Sequence, residues 1–113
     1  MKRELVVVAC ALLPAACTDD GGPRLHSVTP AAAGHGITVV LAGERLCLER
    51  PCSELGGEVQ LGLDVPSYRA TVEGASDTQW TFRVPPTVPA GATDVLISVG
   101  GRSSNALAFE VLP

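Results

Sequence analysis

The sequence is poor in aromatic residues and in positive charge. Aromatic residues make up 4% of the 113 residues, although 46% are hydrophobic. Any core must therefore consist mainly of aliphatic side chains. Lys and Arg number 8 against 12 Asp and Glu, which gives a net charge of −4. This balance argues against a nucleic-acid-binding surface, which needs clustered positive charge, and there is no polybasic patch for anionic lipid.

Long apolar runs and helical periodicity are also missing. No apolar run reaches the roughly 20 residues that a bilayer-spanning helix needs. Downstream of residue 23, no stretch with a period of 3.6 is long enough to predict a helix. The 12 Gly and 9 Pro favour short strands and turns, and 113 residues allow one domain. The composition therefore predicts a small all-β domain.

Residues 1–16 have the features of an export signal. Lys2 and Arg3 provide a positive start, and residues 5–16 are apolar apart from a Cys and a Pro. The alternative is a buried strand or helix of the domain. It is less favoured because an acidic, Gly-rich break follows at once. We therefore expect residues 1–16 to be removed.

The sequence Leu13-Pro14-Ala15-Ala16-Cys17 resembles the lipidation site of bacterial lipoproteins, in which small residues precede a modified cysteine. The resemblance implies that Cys17 becomes the first residue and carries a diacylglyceryl group. Two or three acyl chains hold a protein durably on a membrane. Pro14 stands where these proteins usually have Leu. Two alternatives stay open: secretion without lipid, and lipidation at Cys10, which would leave a very short apolar core.

Residues 17–23 are predicted to be a flexible tether, because they are polar, acidic and Gly-rich. Thr18, directly after the proposed lipid cysteine, is compatible with sorting to the outer membrane of a two-membrane bacterium. From Cys17 onward the chain has six Arg against eleven acidic residues, a net charge of −5. Asp19 and Asp20 lack the further oxygen ligands that a calcium loop requires.

Residues 24–113 show repeated period-two alternation interrupted by Gly and Pro. The densest β-branched run lies in residues 36–46, with Ile37, Val39 and Leu41 on one face, and predicts a central strand. The other strands are predicted at residues 24–30, 58–64, 67–73, 79–84, 93–99 and 106–112. Their inward residues are Val59, Leu61, Leu63, Tyr68, Ala70, Val72, Trp80, Phe82, Val84, Val95, Ile97, Val99, Leu107, Phe109 and Val111. About seven strands at this spacing are typical of a β-sandwich.

Cys47 and Cys52 lie in the loop after the central strand. In an exported protein, two cysteines this close predict a disulfide, and Pro51 favours the tight turn that would bring them together. Closing so short a loop should stabilise the fold by about 2 kcal/mol. A redox or metal-binding pair is the alternative. Cys-x-x-Cys would be a stronger redox signal, and a zinc site needs two further ligands that the sequence does not supply.

Several short motifs in order resemble an IPT/TIG domain, an immunoglobulin-like β-sandwich. They are Pro23-Arg24-Leu25-His26-Ser27-Val28-Thr29-Pro30, residues 36–46 with Gly43, Trp80-Thr81-Phe82-Arg83-Val84-Pro85, residues 90–95, and Ser103-Ser104-Asn105-Ala106-Leu107-Ala108-Phe109. Leu46 replaces the Phe that usually ends the second motif, and the cysteine loop is not part of the general pattern. The resemblance implies a binding or spacer module at the cell surface with no catalytic residues, although fold alone does not fix function.

The search for chemistry yields few candidates. His26 and His35 have no Cys or carboxylate at ligand spacing, so no metal or cofactor is expected. Ser103 and Ser104 have the character of turn residues rather than nucleophiles. Trp80 could stack on a sugar, but its alternation with its neighbours favours the core. Tyr68 is a weaker candidate of the same kind.

The sequence therefore favours a non-catalytic, lipid-anchored binding or spacer module of the cell envelope, acting through protein or polysaccharide contacts. The loop of residues 47–57 is the favoured contact surface, because a disulfide would preorganise it. One alternative is a small secreted or anchored hydrolase. Another is a structural subunit of an envelope assembly, for which Val40 and Leu96 on nominally outer faces are a faint indication.

Overall fold

The computed structural model describes residues 21–63 and 67–113. The predicted signal peptide, the proposed lipid cysteine Cys17 and the alternative Cys10 lie outside these residues. Of the predicted tether, residues 21–23 are described: Gly22 and Pro23 are buried, and the Gly22 carbonyl accepts a hydrogen bond from Arg45 Nε at 3.2 Å. Residues 22 and 23 therefore pack against the sandwich.

The described residues form two β-sheets and a short 3₁₀ turn. The strands are β1 (Arg24–Thr29), β2 (Ala32–Ala33), β3 (Thr38–Glu44), β4 (Gly57–Leu61), β5 (Tyr68–Ala70), β6 (Val72–Ala75), β7 (Gln79–Arg83), β8 (Gly91–Val99), β9 (Arg102–Ser103) and β10 (Leu107–Val111). One sheet has the order β1-β3-β7-β6, and the other has the order β2-β10-β8-β4-β5 with β9 also paired to β8. All pairs are antiparallel except β2 with β10. This arrangement confirms the predicted all-β sandwich.

Two crossings between the sheets account for two strands that the sequence does not predict, and a third unpredicted strand, β9, pairs with β8. The chain leaves the first sheet at the cis Thr29–Pro30 peptide and continues as β2 in the second. The predicted strand 67–73 is likewise divided at Thr71, with β5 in the second sheet and β6 in the first. Each predicted strand thus exists, but the strand predicted at residues 67–73 is divided between the two sheets.

Strand β3 is central, as predicted, because it pairs with β1 on one side and β7 on the other. Val39 and Leu41 are 0% exposed. The prediction for Ile37 is wrong: it precedes the strand, its N–H donates to the Gly34 carbonyl, and its side chain is 49% exposed. The prediction for Leu63 is also wrong. β4 ends at Leu61, two residues earlier, and the Leu63 side chain is exposed.

The core lies between the two sheets and consists mainly of aliphatic residues, as the composition predicts. The alternation within the strands is confirmed at Trp80, Phe82 and Val84, and at Val95, Ile97 and Val99, all of which are buried. The rings of Phe82 on β7 and Phe109 on β10 meet edge to face at 6.3 Å between centroids. This contact joins the two sheets and adds to the area term of burial.

Strand β1 is attached to its neighbours at two special points. A register shift between Leu25 and Ser27 brings β1 so close to Gly43 that a Cβ there would collide with the Arg24 carbonyl oxygen. The Asn105 side chain accepts a hydrogen bond from the Leu25 N–H at 2.7 Å and donates one to the Leu25 carbonyl at 3.0 Å. Asn105 therefore takes the place of a neighbouring strand at the outer edge of β1.

Among residues 21–63 and 67–113, no helix has the length and apolar character required to cross a membrane.

Candidate functional site

The strands run lengthwise, so the loops collect at two opposite ends of the sandwich. We call the end formed by residues 45–56, 76–78 and 100–101 the disulfide end. The other end, formed by residues 34–37, 62–63, 84–91 and 112–113, is the groove end. The pairing fixes this division, since Gly57 lies opposite Val99 whereas Gly91 lies opposite Val111.

The disulfide end contains the predicted Cys47–Cys52 bridge. The two Cα atoms are 5.1 Å apart, and the bridge closes a turn followed by the 3₁₀ turn Cys52–Glu54. Leu48 and Glu49 within this turn have left-handed backbone angles, with φ of 57° and 60°. Residues with side chains rarely adopt this conformation, so other interactions must hold it in place.

Asp77 supplies those interactions. Its Oδ1 accepts hydrogen bonds from the backbone N–H groups of Cys47 at 3.0 Å and Glu49 at 2.9 Å, and its carbonyl accepts one from Leu46 at 2.8 Å. Backbone N–H groups that converge on one point, as those of Cys47 and Glu49 do, suit an anion. Here the anion is a side chain of the same protein, which orders the loop.

Trp80 lies in the core beside this loop. It is 2% exposed, and a Cβ on Gly57 would come within 2.5 Å of its ring. A buried ring offers no face to a sugar, so the core interpretation applies and the candidate role of Trp80 in ligand contact is not retained. Its indole N–H is buried without a hydrogen-bond partner among the described residues.

A groove of about 480 Å³ opens at the groove end. Its lining residues are His35, Gly36, Arg69, Thr71, Glu73, Arg83, Val84, Pro85 and Pro86. It forms where the chain crosses at Thr71 from the second sheet to the first, next to residues 83–86, which run from the end of β7 into the Pro-rich loop. The two chain segments diverge at this point and leave a fork between them. Its volume falls in the range of ligand-binding clefts, roughly 300–1,000 Å³.

Two ion pairs orient the arginines of the groove. Arg83 Nε lies 2.6 Å from Glu73 Oε2, and Arg69 Nε lies 3.1 Å from Glu58 Oε1. The arginine side chains are 62% and 77% exposed, so such pairs add little to stability. A carboxylate that bonds Nε can take at most one terminal nitrogen, so each guanidinium keeps a further donor for a ligand.

His35 forms one wall of the groove. It is exposed, as expected for a turn histidine, and its Nε2 lies 2.7 Å from the Val88 carbonyl oxygen. Because a carbonyl can only accept, Nε2 carries the proton in this contact. The hydrogen bond fastens the turn at residues 34–37 to the Pro-rich loop at residues 85–90.

Tyr68 remains a candidate contact residue. It is half-buried and lines a second concavity of about 230 Å³ at the same end, together with Leu61, Val88 and Pro89. Sequence reasoning placed Tyr68 here only as an alternating strand residue, and it missed the groove altogether. The available signal was the outward position of Arg69 and Arg83. Nothing in the local sequence indicates that the segments carrying these two arginines diverge and leave a groove.

Within the described parts of the chain, no group of three or more His, Cys, Asp or Glu residues is arranged to hold a metal ion.

Known structures share this fold. No family model matches the chain, and no curated protein matches it. The TIG domain of human nuclear factor of activated T-cells, cytoplasmic 4, is similar with a TM-score of 0.61 and 21% identity, over 85% of this chain and 92% of that domain. A Bacteroides thetaiotaomicron protein of unknown function is similar with a TM-score of 0.66 and 16% identity, over 83% of this chain and 22% of that one.

An auxiliary nutrient binding protein from Bacteroides thetaiotaomicron is also similar, with a TM-score of 0.55 and 18% identity, over 81% of this chain and 21% of that one. The chain therefore spans about a fifth of the length of each of these two bacterial proteins. At such identities the similarity shows the fold, which is the TIG-like, immunoglobulin-like sandwich that the sequence motifs predict.

Proposed function

We propose that this protein is a non-catalytic binding module, held at the bacterial cell envelope by a lipid on Cys17, which presents its groove end to a partner. Three observations support the proposal: the export and lipidation pattern of residues 1–17, the TIG-like fold, and the placement of the two ends relative to the tether. The membrane is expected to be the outer membrane of a two-membrane bacterium, with secretion as the alternative.

The placement of the ends carries the proposal. The chain joins the sandwich at the disulfide end, where Arg24 pairs with Glu44 and the Gly22 carbonyl contacts Arg45. Gly22 is the fifth residue after Cys17, and five steps of fully extended chain reach at most about 18 Å. The nine residues of β8 extend over about 30 Å toward the groove end. A lipid on Cys17 would thus hold the disulfide end near the membrane and the groove end away from it.

This argument changes the expected contact surface. The sequence favoured the loop of residues 47–57, because a disulfide preorganises it. In the fold that loop lies at the end where the tether attaches, so a partner approaching from outside would meet the opposite end first. We therefore propose the groove end as the contact surface and assign the bridge a structural role.

The two alternative functions have less support. An assembly subunit would offer a long apolar edge strand. Three of the four edge strands are short: β2 has two residues, β5 three and β6 four with an irregularity between Val72 and Gly74. The fourth, β1, has six residues, and its exposed positions are polar or charged. Val40 is half-buried and Leu96 is 7% exposed, so neither adds to an exposed apolar edge. For a hydrolase, the structural neighbours decide nothing, because at 21% identity or less they show the fold alone.

The mass of the intact protein, purified from its native membrane, tests the anchor. A mass that begins at Cys17 with diacylglyceryl and acyl groups, plus a two-hydrogen increase on reduction, is the expected result. An unlipidated mass that begins near Thr18 would replace the anchored module with a secreted one. A full-length mass from Met1 would refute export.

Photo-crosslinking in vesicles tests the orientation. A photoreactive amino acid is placed at Glu54 of the disulfide end or at Leu63 of the groove end, both of which are exposed. In lipidated protein on phosphatidylethanolamine–phosphatidylglycerol vesicles, lipid adducts should form from position 54 and not from position 63. The reverse pattern would refute the orientation even if the anchor is present.

A further inference from the structure

We infer that the groove lined by Arg69, Thr71, Glu73, Arg83, Pro85 and Pro86 binds an extended peptide segment of a protein partner. This inference rests on the proposed binding function and names the class of ligand for its groove end. Three features carry it: the dimensions of the fork, the balance of its charges and the apolar surface around it.

The groove has the dimensions of a short extended chain. Arg69, Thr71 and Glu73 stand at alternate positions along one wall, so their side chains project in the same direction. From residue 69 to residue 73 an extended chain advances about 13 Å, which equals the length of four extended residues of a ligand. The opposite wall, residues 83–86, runs beside it. A segment lying in the fork would therefore contact both walls along its length.

The charges favour a ligand with both donors and acceptors over an anion. Arg83 pairs with Glu73 inside the groove, and Arg69 of the lining pairs with Glu58, which lies outside the lining. These charges cancel, so a phosphate or nucleic acid gains no net attraction, and the chain as a whole is acidic. A peptide backbone presents an N–H donor and a C=O acceptor at nearly every residue. The guanidinium nitrogens can donate to its carbonyls, and Glu73 and Thr71 can accept from its amides.

The apolar surroundings distinguish a peptide from a sugar. The groove contains Pro85 and Pro86 but no Trp, Tyr or Phe among its lining residues, and Tyr68 lines a separate concavity. An aromatic face is the side chain best suited to cover the apolar face of a sugar ring. The large hydrophobic residues that are exposed in the described chain, Ile37, Leu63 and Leu112, all lie at the groove end. Exposed aliphatic side chains grouped at one end are typical of a surface that contacts protein.

A displayed library of random heptapeptides, selected on the purified protein, tests the inference. Thr71→Arg places a long side chain in the groove, and Thr29→Arg makes the same change at an exposed position of β1, on the opposite edge of the sheet. Selected peptides should bind the wild type and Thr29→Arg equally and bind Thr71→Arg at least tenfold more weakly. In ¹⁵N spectra of the wild type, they should shift the amide signals of residues 69–73, Arg83 and Val84, since Pro85 and Pro86 have no amide proton.

Other outcomes would overturn the inference. If no peptide is enriched, if peptides bind Thr71→Arg as well as the wild type, or if they shift signals at the disulfide end, the groove is not a peptide site. If an oligosaccharide of uronic acids binds instead, and Thr71→Arg weakens it, the groove serves a glycan. None of these results depends on Cys17, so a failed anchor and a failed groove can be told apart. The spectra keep the test decisive if Thr71→Arg does not fold.

Discussion

Replacing Asp77 should lower the free energy of unfolding by removing the hydrogen bonds that hold the disulfide loop, and these bonds give the size of the effect. In Asp77→Ala, the N–H groups of Cys47 and Glu49 lose their acceptor. Cys47 is 1% exposed, so its N–H cannot turn to water. A buried donor left unpaired costs about 1–3 kcal/mol. The exposed Glu49 bond adds about 0.5–1 kcal/mol at most, because water can replace Asp77 there. We expect a total loss of about 2–3 kcal/mol.

Asp77→Asn separates the hydrogen bonds from the charge. The amide oxygen of Asn can accept the same two N–H donors, but it lacks the negative charge that strengthens them. The loss should therefore be about 1 kcal/mol, roughly the difference between a charge-assisted and a neutral hydrogen bond. The left-handed angles at Leu48 and Glu49 should persist in this variant and relax in Asp77→Ala.

Urea unfolding followed by tryptophan fluorescence provides the measurement. Trp80 is the single tryptophan and is 2% exposed, so its emission reports loss of the core. With a slope of about 1 kcal/mol per molar urea for a domain of this size, the midpoint should fall by about 2–3 M in Asp77→Ala and about 1 M in Asp77→Asn. The control is Glu110→Ala on the exposed outer face of β10, which should stay within about 0.5 kcal/mol of the wild type. Equal midpoints for Asp77→Ala and Glu110→Ala would refute the role assigned to Asp77.

Three further predictions concern the residues that fasten the edges and loops. Gly43→Ala should cost about 3 kcal/mol, because its Cβ collides with the Arg24 carbonyl, whereas Gly56→Ala, with open space around it, should change the urea midpoint little. Asn105→Ala should cost about 1–3 kcal/mol by leaving the Leu25 N–H and carbonyl unpaired. Hydrogen exchange at the Leu25 amide should then accelerate, and unchanged exchange would contradict the role assigned to Asn105. Reducing the Cys47–Cys52 bridge should cost about 2 kcal/mol in urea, and that cost should be smaller in Asp77→Ala, because neighbouring contacts are not additive.

The strands could be predicted because alternation is a local property. Trp80, Phe82 and Val84 face the core in the fold as their spacing predicts, and the two cysteines are close enough in sequence to form their bridge. Ile37 and Leu63 were assigned wrongly for the same reason. The alternation in the sequence extends beyond the residues that pair in the sheets. Contacts in the adjoining turns, such as that of the Ile37 N–H with the Gly34 carbonyl, determine where a strand begins or ends.

The groove could not be predicted, because it arises from long-range register. Strand β6 begins at Val72, which lies opposite Phe82 of β7. The residues just before it, 68–70, form β5 and pair with β4 in the other sheet. The sequence of residues 67–73 shows one uninterrupted alternation and gives no sign of the crossing at Thr71. Asp77 was missed for a related reason: a turn aspartate usually bonds nearby backbone, whereas this one bonds backbone 28 and 30 residues away.

The two ends of the sandwich can therefore be tested independently. Asp77, Gly43, Asn105 and the bridge act on buried or closely packed backbone near the disulfide end, so changes there should lower the free energy of unfolding. The arginines of the groove are mostly exposed, and their ion pairs are worth little to stability. A groove variant that loses binding at unchanged stability would then report a lost contact, whereas loss of binding in a disulfide-end variant would first have to be separated from unfolding. The same difference in exposure makes the groove end the better choice for a binding surface, because its side chains can exchange partners without opening the core.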